Sequence, residues 1–176
     1  NGHPHQFSCQ GALLTQDWPG PRRHTNPLPP EFYFSASDIS DTAQVFGMLA
    51  FFFACFSAGT PELEEFAQKA FKETRAMLAP QPFIAALPRR LLSHPRGSAL
   101  AVVGHVDRAW GYSFYWGNAR RQLAVFESAF NLMLTGFPVG AALDPFNVRY
   151  AELSSELSQT LEDIQFGKKV EPRDLA

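Results

Sequence analysis

Two patterns of apolar and polar residues divide this chain: unbroken apolar runs of strand length, and apolar residues recurring every three or four positions as on one helix face. Residues 45–53 form the strongest run, nearly all apolar as a strand buried on both faces of a parallel sheet should be. Residues 98–104 form a second. Residues 11–15 predict a short strand, Asp17-Trp18-Pro19-Gly20 a turn, and Phe32-Tyr33-Phe34 a short aromatic segment. Between them Pro19, Pro21, Pro27, Pro29 and Pro30 exclude helix and predict an exposed loop.

Ser37 predicts the cap of a brief helix near Asp38. Thr60 and Pro61 read as a longer helix start, with Glu62, Glu64 and Glu65 in the first turns and Leu63, Phe66, Ala70, Phe71 and Leu78 on one face. Pro80 and Pro82 end it. Residues 83–92 resume a helical pattern with Pro88 inside, and Gly97 turns the chain into the second strand. Helices are expected over residues 120–135 and 150–164, with a frayed tail from Gly167. Strand, Cys turn, helix, helix, strand, polar turn, helix is an α/β order.

The first strong run ends in chemistry. Phe53-Ala54-Cys55-Phe56-Ser57-Ala58-Gly59 leads from the strand through a cysteine and small residues toward the expected helix start. A thiol there sits at the carboxyl edge of a sheet, where ligands of open α/β folds gather, and helix amides would favour its thiolate. Cys55 is therefore a candidate nucleophile, against the alternative of a buried core cysteine. His105 and Asp107 lie on the polar turn after the second strand, at the same sheet edge, with Trp110 just beyond.

Composition narrows the partners. A chain of 176 residues that is 45% hydrophobic can bury one sizeable core, which predicts one domain over residues 1–166 and a tail over 167–176. A net charge of −2 supplies no attraction for nucleic acid or an anionic membrane. No apolar run is long enough to span a bilayer, and the opening residues do not predict a signal peptide. With only Cys9 and Cys55 there is no disulfide framework, as expected of a reducing, cytoplasmic setting.

The segments Ser37-Asp38-Ile39, residues 45–59 with the Cys-Phe-Ser-Ala-Gly turn, Phe83, Leu91-Leu92, residues 99–104, and Phe126, Leu134, Gly136 and Ala142 together resemble the CHAT branch of the caspase-like cysteine peptidases. The resemblance covers residues 10–150 in element order and short motifs. It implies a three-layer sandwich, a mostly parallel sheet flanked by helices, with the amino-terminal strands missing from this chain. It further implies peptide-bond hydrolysis through an acyl-enzyme, with Cys55 as nucleophile and a His-Gly histidine protonating the leaving amine. The family spacing of about fifty residues points to His3 or His5, yet Pro4 and Gln6 follow them, so that histidine could also precede Asn1. The Cys55 amide would help hold the oxyanion. Phe53, two residues before the cysteine, would line the pocket without charge, and Gly59 would keep the turn uncrowded.

The implied partners are a protein or peptide substrate and an amino-terminal half or activating protein, and no cofactor or metal is implied. Cys9, His3 and His5 match no zinc spacing. Asp107 is the acid best placed to select a basic substrate residue, with an apolar pocket of Phe53 and Trp110 as the rival. Tyr112, Tyr115 and Trp116 could wall the site or pack in the core. The alternative to a peptidase is a catalytically silent domain of the same fold acting as an interaction module. A doubly wound small-molecule domain is disfavoured because no G-x-G-x-x-G loop is present.

Overall fold

A computed structural model describes residues 9–20, 22–23, 28–64, 76–110 and 123–168. The chain forms two units, residues 1–110 and 111–176. The fold is mixed α/β. Among the described residues the first unit holds three two-stranded sheets. Strand β1 (Leu13–Leu14) pairs antiparallel with β2 (Tyr33–Phe34). Strand β3 (Leu49–Phe52) pairs parallel with β6 (Ala101–Gly104), Leu49 opposite Ala101 and Phe52 opposite Gly104. Strand β4 (Gly59–Thr60) pairs antiparallel with β5 (Phe83–Ile84).

The two strong apolar runs thus become neighbouring parallel strands, joined by a crossover that includes helix α1 (Ala86–Leu92). α1 covers one face of the pair, where Leu87 and Leu91 pack with Ile39, Val45, Ala50 and Ala99. Strand β3 is shorter than the run that predicted it, because the chain turns at Phe46 and at Gly47, whose φ is +79°. Its expected burial on both faces is not met: Ala50 is buried but Leu49 is exposed.

Pro88 is accommodated because it falls in the first turn of α1, where backbone N–H groups have no intrahelical acceptor anyway. Phe83 and Ile84, expected within that helix, are the strand before it. A 3₁₀ turn, Ala36–Asp38, ends at Asp38 where a brief helix was expected to begin, and its cap is Ser35, with Ser37 inside the turn. The Ser35 hydroxyl donates to Asp38 Oδ2 at 2.9 Å, and the same carboxylate accepts the Ser35 N–H at 2.7 Å.

The helix expected from Thr60-Pro61 does not start there. Gly59 and Thr60 are strand, and beyond them Leu63 bridges Met77 antiparallel, with the Glu64 N–H donating to Ala76 O and the Leu78 N–H to Glu62 O, both at 2.8 Å. Local spacing favoured a helix, but β5 supplies an edge that the sequence pattern does not reveal. Gly59 permits that pairing, since a Cβ there would lie 2.6 Å from the Phe83 carbonyl oxygen. The middle of the expected helix, residues 65–75, lies outside the described residues.

Among its described residues the second unit holds three helices: α2 (Ala124–Leu134), α3 (Val139–Ala142) and α4 (Asp144–Gln165). α2 falls within its expected range. α4 begins at Asp144-Pro145, six residues earlier than its spacing suggested, with Pro145 in the first turn where it is tolerated. No described helix is long and apolar enough to cross a membrane.

Candidate functional site

Parallel pairing fixes the site's frame, because both strands must end at the same edge. The register Phe52 to Gly104 places Phe53 beside His105, and their rings meet edge to face at 4.8 Å. Beyond Phe53 the chain doubles back through Ala54, Cys55 and Phe56, the Ser57 N–H reaching Ala54 O at 3.3 Å. Phe56 adopts φ of +53°, a left-handed conformation that costs a bulky residue about 1–2 kcal/mol. The surroundings hold it there from two sides. Its N–H donates to Asp107 O at 2.9 Å, and its carbonyl accepts the fully buried Gln10 Nε2 at 3.3 Å. Gln10 Nε2 also donates to Thr60 Oγ1 at 2.8 Å.

Ser57 ties the two strand ends together. Its hydroxyl, fully buried, donates to Phe52 O at 3.2 Å and accepts the His105 N–H at 3.0 Å. The Ala58 N–H donates to His105 O at 2.9 Å. The Cys55 turn and the residue 105–109 loop therefore form one backbone-linked unit.

Cys55 is half-buried at this edge. The Ala109 N–H donates to its Sγ at 3.3 Å, and the thiol donates back to Ala109 O at 3.5 Å. The helix start expected to favour a thiolate is absent, since β4 follows the turn. One peptide N–H aimed at sulfur takes the place of the helix amides. No imidazole among the described residues hydrogen-bonds this sulfur.

His105 Nδ1 is buried, with no hydrogen-bond partner among the described residues. Asp107 Oδ1 accepts the Arg108 N–H at 2.7 Å, an arrangement that closes the polar turn on itself. Arg108 pairs with Glu64, and its guanidinium lies 5.8 Å from the centre of the Trp110 ring. Phe53, Cys55, His105, Asp107 and Trp110 are thus carried by two adjacent loops. Gly59 belongs instead to β4, where its role is close approach to β5. His3, His5, Tyr112, Tyr115 and Trp116 lie outside the described residues.

The sequence reading missed Gln10, Ser57 as a bridge, and the Ala109 peptide. Only Ser57 carried a signal, as a small residue two positions after the cysteine. Gln10 acts across 46 residues of sequence and Ala109 through its backbone, and neither leaves a local trace.

Other polar side chains of the first unit are held in structural contacts. His94 is buried, its Nε2 sharing a hydrogen bond with Ser40 O at 2.9 Å and its Nδ1 accepting the Arg96 N–H at 3.3 Å. Arg90 donates to Ile39 O at 2.8 Å and pairs with Asp41 at 2.5 Å. Cys9 Sγ lies 3.7 Å from Tyr33 Oη, and this contact pushes the Tyr33 phenol above its ordinary range. Among the described residues no three His, Cys, Asp or Glu side chains converge on a metal-sized site. Compared with protein-family models, curated proteins and solved structures, the chain matches none.

Proposed function

We propose that this chain is a caspase-like cysteine endopeptidase in which Cys55 is the nucleophile and a histidine completes the dyad, the β3 and β6 strands belonging to the parallel sheet of a three-layer sandwich. The observation that carries the proposal is the parallel register of β3 and β6, which brings Cys55, His105 and Asp107 to one carboxyl edge. Such an edge is where an α/β fold assembles a site. In the reaction the Cys55 thiolate attacks the scissile carbonyl carbon. The sulfur–carbon bond forms, the carbon–nitrogen bond breaks, and the imidazolium gives its proton to the leaving amine. Water then adds to the thioester, releasing the carboxylic acid and the free thiol.

His105 is the histidine that the described residues offer at this edge, and its unpartnered Nδ1 has hydrogen-bonding capacity to spare. His3 is the rival from the family spacing. The proposed substrate is a protein or peptide, and the proposed setting is the cytoplasm, with an activating partner.

A second reading, a catalytically silent interaction module of the same fold, is favoured by one observation. The Cys55 thiol is closed into a reciprocal pair with the backbone of a single residue, the N–H and the carbonyl of Ala109, so that sulfur is engaged rather than presented. Peptide-library cleavage by the wild type and by Cys55→Ala, His105→Ala and His3→Ala separates the readings. Cleavage lost in Cys55→Ala, with the melting temperature held, supports the peptidase. Cleavage absent from the wild type, with Cys55 alkylated by iodoacetamide no faster than Cys9, supports the module.

A further inference from the structure

The helical unit carries an apolar stripe longer than its own partner. α4 has 22 residues and α2 has 11, so at 1.5 Å per residue α4 spans about 33 Å against about 16 Å. The two helices meet through Phe146 and Phe126, whose rings stand edge to face at 4.9 Å. From Phe146 the same face of α4 continues through Tyr150, Leu153, Leu157, Leu161 and Ile164 at three- and four-residue intervals. These five side chains are 74%, 41%, 50%, 53% and 41% exposed, and α4 contains no buried residue. A helix that began as a packed element ends as an open apolar ridge.

Charge selects what fits it. α4 carries Asp144, Glu152, Glu156, Glu162 and Asp163 against the single cation Arg149. On the helix surface Glu152, Glu156 and Asp163 line one flank of the stripe, whereas Ser154 and Ser158 lie toward the other. Arg149 pairs with Glu152 at 3.1 Å and Lys168 with Asp163 at 2.7 Å, leaving Glu156 as the acid of that flank with no ion-pair partner among the described residues. A second copy of α4 would set like charges together, and an anionic bilayer would be repelled. A helix with apolar residues at the same spacing and a basic flank satisfies both the ridge and the acids.

We propose that the α4 ridge from Tyr150 to Ile164 docks a basic amphipathic helix of a partner protein, with a Lys or Arg residue beside Glu156. The test uses the full chain and two synthetic peptides of three heptads, both with Leu at the stripe positions, one flanked by Lys and the other by Glu. Fluorescence anisotropy should show saturable one-to-one binding of the Lys peptide, with the Glu peptide weaker by about tenfold or more. Leu157→Asp is the deciding variant, because it adds an acid while removing the central apolar contact from an exposed site. It should weaken the Lys peptide by about tenfold or more, whereas attraction by charge alone would tighten it. Tighter binding by Leu157→Asp overturns the proposal, as does equal binding of the two peptides or binding of neither. A concentration-dependent dimer dissolved by Leu157→Asp would assign the ridge to a second copy instead. In Leu157→Cys, a thiol at position 157 that resists maleimide in the full chain, located by peptide mapping, would assign it to a segment of the chain itself.

Discussion

Replacing Ser57 with alanine tests whether the Cys55 turn and the His105 loop are held as one unit. The substitution removes a fully buried hydroxyl that joins Phe52 O at 3.2 Å to the His105 N–H at 3.0 Å. Both backbone groups lose their partner, and each unsatisfied buried group costs about 1–3 kcal/mol, so a loss of about 2–4 kcal/mol is expected. For a unit of about 100 residues this corresponds to a fall in Tm of about 10–20 °C. Urea denaturation followed by tryptophan fluorescence should show a lower midpoint at unchanged slope. Gly104→Ala supplies the internal control, because its Cβ would lie 2.8 Å from Ser57 Oγ. Alone it should cost about as much as Ser57→Ala, and together the two should cost less than their sum, since alanine at 57 removes the atom that clashes. A loss below about 0.5 kcal/mol for Ser57→Ala, or strict additivity in the double variant, would refute the bridge.

Three further outcomes follow from the same geometry. Gly59→Ala should break the pairing of β4 with β5 and destabilise the protein by about 1–3 kcal/mol in a thermal melt, because its Cβ would meet the rigid Phe83 carbonyl at 2.6 Å. The Asp41 carboxyl, held below its ordinary range first by the Arg90 hydrogen bond and then by that charge, should stabilise the fold above the ordinary carboxylate range and lose this contribution as pH falls through its lowered value, so Arg90→Ala should flatten that part of an acid titration followed by circular dichroism. If the proposed peptidase selects a basic residue through Asp107, Asp107→Ala should lower kcat/KM for Arg or Lys substrates by about thirtyfold or more and spare neutral ones, and an unchanged library profile would assign the pocket to Phe53 and Trp110.

What the sequence disclosed about the fold depended on how local each determinant is. Residues 45–53 and 98–104 were legible as strands because an apolar run bounded by turn residues is a local signal, and the structure pairs their cores in parallel. α2 was legible for the same reason. The stretch after Gly59 was not, because Leu63, Met77 and Leu78 satisfy a helical spacing as well as they satisfy a two-stranded pairing. The pairing of β4 with β5, in which Gly59 approaches Phe83 across 24 residues, is a contact that local spacing does not carry. The helix expected over residues 83–92 forms over Ala86–Leu92 with Pro88 in its first turn, and only its start differs, because Phe83 and Ile84 pair as a strand instead.

The site was legible as a place and not as a mechanism, for a related reason. Cys55 lies at the edge of β3 because an apolar strand must end where small residues turn the chain, and that much is written locally. What surrounds its sulfur is set by the 105–109 loop, whose approach depends on the parallel register and on the Ser57 bridge. The same loop supplies both the Ala109 N–H that can support charge on sulfur and the Ala109 carbonyl that occupies the thiol proton. If Cys55 is the proposed nucleophile, its activation would require this loop to shift, releasing the carbonyl while keeping the N–H. Ser57 resists such a shift together with the Phe56 and Ala58 N–H groups, and it is the side chain of the three that anchors His105 to the end of β3. Ser57→Ala should thus raise the rate at which iodoacetamide modifies Cys55 relative to Cys9, even as it lowers stability. An unchanged ratio would place the control of the thiol elsewhere than in the bridge.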